Sequence, residues 1–314
     1  MKNQPTVSVI MAVYNSADFV AEAIQSILDQ TFTDFELVIV NDGSTDDSRS
    51  IIESFSDERI KLINQKNQGP VAARNRAIMD ARGEFIAIMD ADDIAMKERL
   101  KLEVDMMRSN INLGAVGSNY TAFDSTGEQW TTNVFTHPND LKTCMVLCNQ
   151  FGHASVVFRK SVLDKVGLYS STTGGIVEDY DLLIRVSHVA ELANIEKPLL
   201  KWRKSADSIT HSNLDKQIED TRKIRDREFS RFLKSRHEYR LFTIHPSGKK
   251  YFTRKSTLYR DYAYLYNKNG FKLRALAMMG FAVLCQPLNK RNYKRTMLLF
   301  SRKWFYKYWE YEFL

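Results

Sequence analysis

The sequence predicts an α/β domain on a mostly parallel, doubly wound sheet with flanking helices, followed by a helical, basic C-terminal extension. Three observations carry that expectation. Short β-branched runs alternate with helix-patterned segments over the first 94 residues, the rhythm of parallel strands joined by crossover helices. Three of the runs stop at polar turns, Tyr14-Asn15, Asn41-Asp42 and Asp90-Ala91-Asp92-Asp93, where ligands bind in such sheets. The charge also reverses along the chain. Residues 1–200 hold 18 basic and 28 acidic side chains, a net of −10, and residues 201–314 hold 27 and 10, a net of +17.

The elements follow in order. Residues 7–13 form a first strand, and Val20, Ile24, Ile27 and Leu28 mark one face of a helix. Residues 35–40 form the second strand, leading through Asn41-Asp42-Gly43-Ser44 into a helix that carries Ile51, Ile52 and Phe55. Ser44 and Asp47 have the spacing of a capping box. Residues 60–63 form a third strand. Gly69-Pro70 opens a helix to residue 81, with proline near the first helical position and Gly83 as its stop. Residues 85–89 form the fourth strand, which must end where the acids begin. Beyond it, 115–117, 120–123 and 154–158 read as strands, and 161–166 and 179–189 as helices, with Gly174-Gly175 in a loop. From Ser212 onward the pattern is helical, basic and aromatic.

Composition narrows the function classes. With 44% hydrophobic and 26% charged residues, the 314-residue chain reads as an ordinary globular protein. Its three cysteines, Cys144, Cys148 and Cys285, match neither a disulfide framework nor a zinc spacing. The first six residues lack the apolar core of a signal peptide. The longest apolar stretch, residues 275–285, is 11 residues and too short to span a bilayer. A cytoplasmic location is therefore expected.

The candidate site residues each have a plain structural explanation beside a chemical one. In an extended segment Asp90 and Asp92 point to the same side, roughly 6.5–7 Å apart. That pair can seat a hard divalent cation holding a diphosphate, or simply be a polar turn. Asn41-Asp42 can be a turn, or can hydrogen-bond the edge of a nucleobase. Tyr14 can be core, or a flat face for a base. Arg74 lies one turn into the helix opened by Gly69-Pro70, where it is a solvated charge or reaches a phosphate. Glu178-Asp179 in a first helical turn suits the helix dipole, or supplies a general base. His153 is a satisfied histidine or a substrate contact.

Segments 8–15, 40–46, 69–75, 83–94 and 178–185, taken as an ordered series, resemble the motif set of family 2 glycosyltransferases, which have the GT-A fold. The resemblance covers about residues 5–210. It implies a catalytic domain over 1–210 and leaves 211–314 as the helical basic and aromatic extension. It further implies donor binding by Tyr14, Asn41, Asp42, Arg74 and Asp90, Mn²⁺ or Mg²⁺ held by Asp92 with Asp90, and Asp179 as catalytic base. Glu178 and His153 are expected on the acceptor side. The chain departs from the family in three places: Ala12 stands where proline is common, Asn41 replaces an aspartate, and Trp202-Arg203-Lys204-Ser205 lacks the histidine of a Tyr-Arg-x-His loop. Arg203 or Lys204 is then expected to neutralise the diphosphate.

The function implied is an inverting transfer of a hexosyl or N-acetylhexosaminyl group from a nucleotide sugar, UDP-linked, to a hydroxyl of a glycan or lipid-linked acceptor. Bacterial surface polysaccharide is the setting the family suggests. The alternative is a nucleotide-binding or phosphotransfer protein that uses the Asp-x-Asp site without glycosyl transfer. Phosphotransferases of that type expect Thr or Val where Asp93 stands. The tail shows no zinc finger and no aromatic-glycine RNA signature, so nucleic acid is not an expected partner. Residues 271–288 are nearly apolar, and Lys290, Arg291, Lys294, Arg295, Trp304 and Trp309 follow. They suggest either a helical subdomain or peripheral attachment to the anionic inner face of the cytoplasmic membrane.

Overall fold

Val7–Val13 (β1) forms a strand buried along both faces, because its β-branched residues alternate between two apolar layers. In the computed structural model, which describes residues 4–127, 129–132, 134, 136, 138–170, 176–204, 214–234, 262, 275 and 278, β1 pairs in parallel with Phe35–Asp42 (β2) and Phe85–Asp90 (β4). Ile60–Gln65 (β3) pairs in parallel with β2 at the sheet's edge. The remaining strands are Ile94–Ala95 (β5), Leu113–Phe123 (β6), Gln129–Thr131 (β7), Val157–Arg159 (β8) and Glu191–Arg203 (β9). The order is β3-β2-β1-β4-β8-β6-β9-β5, with β7 on β6. The first four strands are parallel. Beyond β4, pairing is antiparallel except between β6 and β9.

Helices cover both faces, as a doubly wound sheet requires. Val20–Leu28 (α1), Ser48–Glu53 (α2) and Arg99–Ser109 (α4) pack against the face carrying Val9, Leu37 and Ala87. Pro70–Asp80 (α3), Pro138–Cys144 (α5), Lys160–Val166 (α6) and Glu178–Ser187 (α7) cover the face carrying Ile10, Val38 and Ile88. Ile224, from Leu214–Lys234 (α8), joins the second layer. Where Gly83 passes β1, an added Cβ would lie 2.5 Å from the Ser8 backbone nitrogen, so only glycine permits this approach. Beneath β4, the fully buried Arg99 donates to the Ile88 carbonyl (2.8 Å) and to Glu103. Burial pushes the Glu103 carboxyl up to about 7.

The structure revises several sequence expectations. The capping box at Ser44 and Asp47 does not form, because α2 starts only after Asp47. Instead the Asp46 carboxylate accepts from Ser48 N and Ala17 N, each at 3.0 Å. Segments 115–117 and 120–123 are one strand, β6. Segment 154–158 divides into a 3₁₀ turn, His153–Ser155, and β8. The helices α4 and α5 and the strand β9 were not expected.

Met1–Glu228 forms one compact unit and Phe229–Leu314 another. The expected boundary at 210/211 and Gly174-Gly175 lie outside the described residues. So do the basic and aromatic residues from Lys290 onward. In the second unit Phe229 and Tyr262 are buried with ring centroids 6.0 Å apart. Ala275 and Met278, from the apolar segment, are helical and buried. No helix among the described residues is long and apolar enough to cross a membrane.

Candidate active site

The carboxyl ends of β1, β2 and β4 lie side by side, with Val13 opposite Asn41 and Ala12 opposite Asp90. After β1, Tyr14 is half exposed, and Asn15 adopts a left-handed φ of 47°. This conformation, tolerated by asparagine, lets its Oδ1 accept from Thr45 N (2.8 Å), while Asn15 N donates to Ser44 Oγ (3.1 Å). Asn41 and Asp42 end β2 buried. The Asn41 amide donates to Asn64 Oδ1 (2.9 Å) and accepts from Ser44 N (3.2 Å). Asp42 accepts from Gln65 Nε2, Gln68 N and Gly69 N at 2.7–2.9 Å, which ties β2 to the start of α3. The structure thus gives this pair a framework task, while the Asn41 amide retains a second N–H.

Arg74, on α3, is the centre of the charge arrangement. Its guanidinium donates to Asp90 Oδ1 (3.1 Å) and to Glu178 Oε1 (2.8 Å), so one side chain links the end of β4 to the start of α7. Burial disfavours its charge, but the two carboxylates outweigh burial and hold it protonated. Burial likewise opposes the charge on Asp90, and Arg74 reverses that, so the Asp90 carboxyl is held below its usual range.

Asp92 behaves oppositely. Burial first, and the negative charge of Asp90 second, push its carboxyl up to about 6. Asp93 is buried and is also shifted upward, by burial and then by Asp90 and Asp92. Its Oδ1 accepts from Arg203 N (2.9 Å). Arg203 Nε donates to the Asp92 carbonyl (2.9 Å) and another guanidinium nitrogen to Glu22 (2.6 Å). The guanidinium lies between the Phe19 and Phe123 rings, at 4.7 and 4.6 Å. The expected diphosphate-neutralising arginine is therefore engaged in bracing the acidic turn.

At the start of α7, Asp179 Oδ2 accepts from Asn149 Nδ2 (2.8 Å). Burial, then the neighbouring Glu178, push its carboxyl up to about 7. Glu178 is buried, and its second oxygen has no hydrogen-bond partner among the described residues. His153 Nε2 and the Tyr169 hydroxyl lie 2.8 Å apart. Burial and then the charge of Arg74 push His153 down to about 3, so its imidazole is neutral. Burial raises Tyr169 well above its usual range, and it keeps its proton.

The acids fit a divalent cation held by two carboxylates. Asp92 is ionised only at a cost that a cation would relieve, and an oxygen-rich pair suits Mn²⁺ or Mg²⁺. No group of three His, Cys, Asp or Glu residues among those described could complete a protein-only cage. The remaining ligands would then come from water or a diphosphate.

Two residues at the site escaped sequence reading: Asn149 and Tyr169. Asn149 and Tyr169 lie in irregular segments with no motif. Asp93 was legible only as a third acid.

Comparison with known proteins identifies the class. The glycosyl transferase family 2 profile matches residues 8–167, and the chain belongs to this family. It is a glycosyltransferase. An uncharacterised glycosyltransferase of Haemophilus influenzae is 31% identical over 74% of this chain and 76% of its own length. Chondroitin synthase of Escherichia coli is 27% identical over 80% of this chain, which spans only 36% of that longer protein. Among solved structures, S. aureus TarS 1–349 in complex with UDP-GlcNAc aligns with a TM-score of 0.60 and 18% identity, over 94% of this chain and 89% of that one. The mannosyltransferase PcManGT of Pyrobaculum calidifontis, in complex with GDP-Man and Mn²⁺, aligns at 0.54 and 18%, over 95% and 85%. These structures share the GT-A fold with this chain.

Proposed function

We propose that this chain is an inverting, cation-dependent glycosyltransferase that moves a hexose or N-acetylhexosamine from a UDP-linked donor to a hydroxyl of a glycan or lipid-linked acceptor. The reading extends to assembly of a bacterial surface polysaccharide, for which the relatedness to chondroitin synthase is the support. The observation that carries it is the link through Arg74. A carboxyl tuned to about 7, Asp179, adjoins Glu178, which shares one guanidinium with Asp90 of the acidic turn. In this reading a base and a diphosphate seat share one site. Nucleotide sugars bound to two proteins of the same fold support the donor class.

In this reading Tyr14 offers its exposed ring to the base, with Asn41 and Asp42 shaping the floor beneath it. Asp90 and Asp92 would hold Mn²⁺ or Mg²⁺, which supplies charge neutralisation to the departing diphosphate. Asp179 takes the proton of the acceptor hydroxyl as that oxygen attacks the anomeric carbon. The new C–O bond forms on the face opposite the breaking bond to phosphate. The electron pair of the broken bond leaves with the nucleoside diphosphate, and the configuration inverts without a covalent intermediate. Glu178 and the neutral His153 border the acceptor side.

Incubation with a panel of UDP- and GDP-sugars and Mn²⁺ tests the reading. Release of nucleoside diphosphate from at least one donor, accelerated by a glycan acceptor, is expected. Binding of UDP without release of sugar would favour the alternative, a nucleotide-binding or phosphotransfer protein.

The net charge of +17 over residues 201–314 supports a peripheral place on the anionic inner face of the cytoplasmic membrane. The protein is expected to sediment with vesicles containing anionic lipid and to be released as salt rises, since screening shortens the reach of surface charge. Equal sedimentation with neutral vesicles would reject this placement.

A further inference from the structure

The strands next to the acidic turn carry an aromatic row that the transfer chemistry does not use. Ala122 of β6 is paired with Trp130 of β7 on one side and with Trp202 of β9 on the other. Paired residues share a sheet face, and Tyr120, two residues back on β6, lies on the same face. The Tyr120 ring centroid is 6.2 Å from that of Trp130 and 6.1 Å from that of Trp202. The small, buried Ala122 sits between the two indoles. Trp130 is 49% exposed, so part of its ring is open to solvent.

This row borders the candidate site on two sides. A Cβ on Gly152, beside His153, would meet the Tyr120 ring at 2.6 Å, so ring and turn are in close contact. Trp202 precedes Arg203, which braces Asp92 and Asp93 on the other face of the same strand. Burial, and then the negative charge of Asp93, raise the pKa of the Tyr120 hydroxyl.

Resting on the transferase reading, we propose that Trp130 and Trp202 form an acceptor subsite that stacks a chain of at least two sugar units. The C–H-bearing face of a pyranose is apolar and weakly electropositive, and the face of an indole is electronegative, so the two match. Trp130 and Trp202 stand two strand spacings apart, about 9.5 Å. That span suits successive units of an oligosaccharide rather than a single sugar. The donor seat at Asp90 and Asp92 does not involve Trp130, so loss of that ring leaves donor binding intact.

Calorimetry on the full chain tests this with chitotetraose, cellotetraose and chondroitin tetrasaccharide, each against its monosaccharides, and separately with UDP and Mn²⁺. At least one tetrasaccharide is expected to bind roughly tenfold tighter than its monosaccharides, the scale of one added stacking contact. Trp130→Ala should weaken that tetrasaccharide about tenfold. Trp130→Tyr should recover most of the affinity, and Trp130→Leu, apolar without a π face, should not. UDP titration should match wild type in all three variants. The proposal is overturned if none of the tetrasaccharides binds, if Trp130→Ala binds like wild type, if leucine serves as well as tyrosine, or if UDP binding falls together with glycan binding. Tetrasaccharide binding without release of UDP from any donor would leave the subsite standing and remove the transferase reading; release of UDP with no glycan binding would do the reverse.

Discussion

Asp179→Asn is expected to lower turnover by roughly 10²–10⁴ while donor affinity stays within a few-fold of wild type. The substitution keeps the shape of the side chain and a partner for Asn149, and removes only the ability to accept a proton. Its pH dependence gives a second readout. Burial and the charge of Glu178 push the Asp179 carboxyl up to about 7, so the basic form is scarce below that pH. Wild-type kcat/KM should therefore climb nearly tenfold per pH unit below about 7 and level off above it. The residual activity of the variant should lack that limb. Steady-state rates and donor titration across pH 5–9 would check both. A loss of donor binding equal to the loss of turnover would place Asp179 in the donor seat instead. Near-normal turnover would move the base to Glu178, whose second oxygen has no hydrogen-bond partner among the described residues, rather than to Asp181, which is paired with Arg185 and Arg227.

In the parallel half of the sheet, β1, β2 and β4 were legible because they are buried on both faces and end at polar turns. β1 runs over the residues the pattern marks, and β2 and β4 extend only into the polar residues that follow them. The mixed half was harder for physical reasons. β6 carries Gly117, Ser118 and Asn119 in its middle, which interrupts the apolar run, yet they pair in the sheet through a register shift. β9 contains Glu196-Lys197-Pro198, which reads as a break. α4 buries a charged pair, Arg99 and Glu103, on the face where a sequence reader looks for apolar residues.

The site shows the same division. The acids announce themselves by type, but their partners do not. That Arg74 reaches both Asp90 and Glu178 depends on bringing together residues 16 and 104 positions away. Arg203 was chosen from sequence as a group for the diphosphate because it is basic and follows the core. Its contacts with Phe19 and Glu22 at the start of α1 and with Phe123 at the end of β6 come from two distant segments, and no local pattern encodes them. Asp42 was read as a base contact, and its acceptance from Gly69 N is visible only once β2 lies beside the start of α3.

Asp92→Ala is expected to abolish Mn²⁺- or Mg²⁺-dependent UDP binding and leave the fold intact. Asp92 is the cleaner of the two acids to remove, because Asp90 also holds Arg74, and losing it would leave that guanidinium with Glu178 as its one carboxylate partner among the described residues. The Asp92 carboxyl is pushed up to about 6 by burial and by Asp90, so the metal-free folded state keeps it protonated up to about pH 6. A folded-state value above the ordinary one stabilises below the ordinary value, and that contribution is lost as pH rises through about 6. At pH 7–8 the metal-free variant should therefore melt no lower than wild type, and its relative advantage should fade as pH falls toward 4. The cation competes with the same proton, so Mn²⁺ should bind wild type more weakly as pH drops through about 6. Calorimetry of UDP with and without Mn²⁺, beside thermal melts of the metal-free proteins, separates the outcomes. A UDP titration in Asp92→Ala that responds to Mn²⁺ as wild type does would remove Asp92 from the cation seat. A variant that melts well below wild type at pH 7–8 would mean that the turn depends on this carboxylate for its shape.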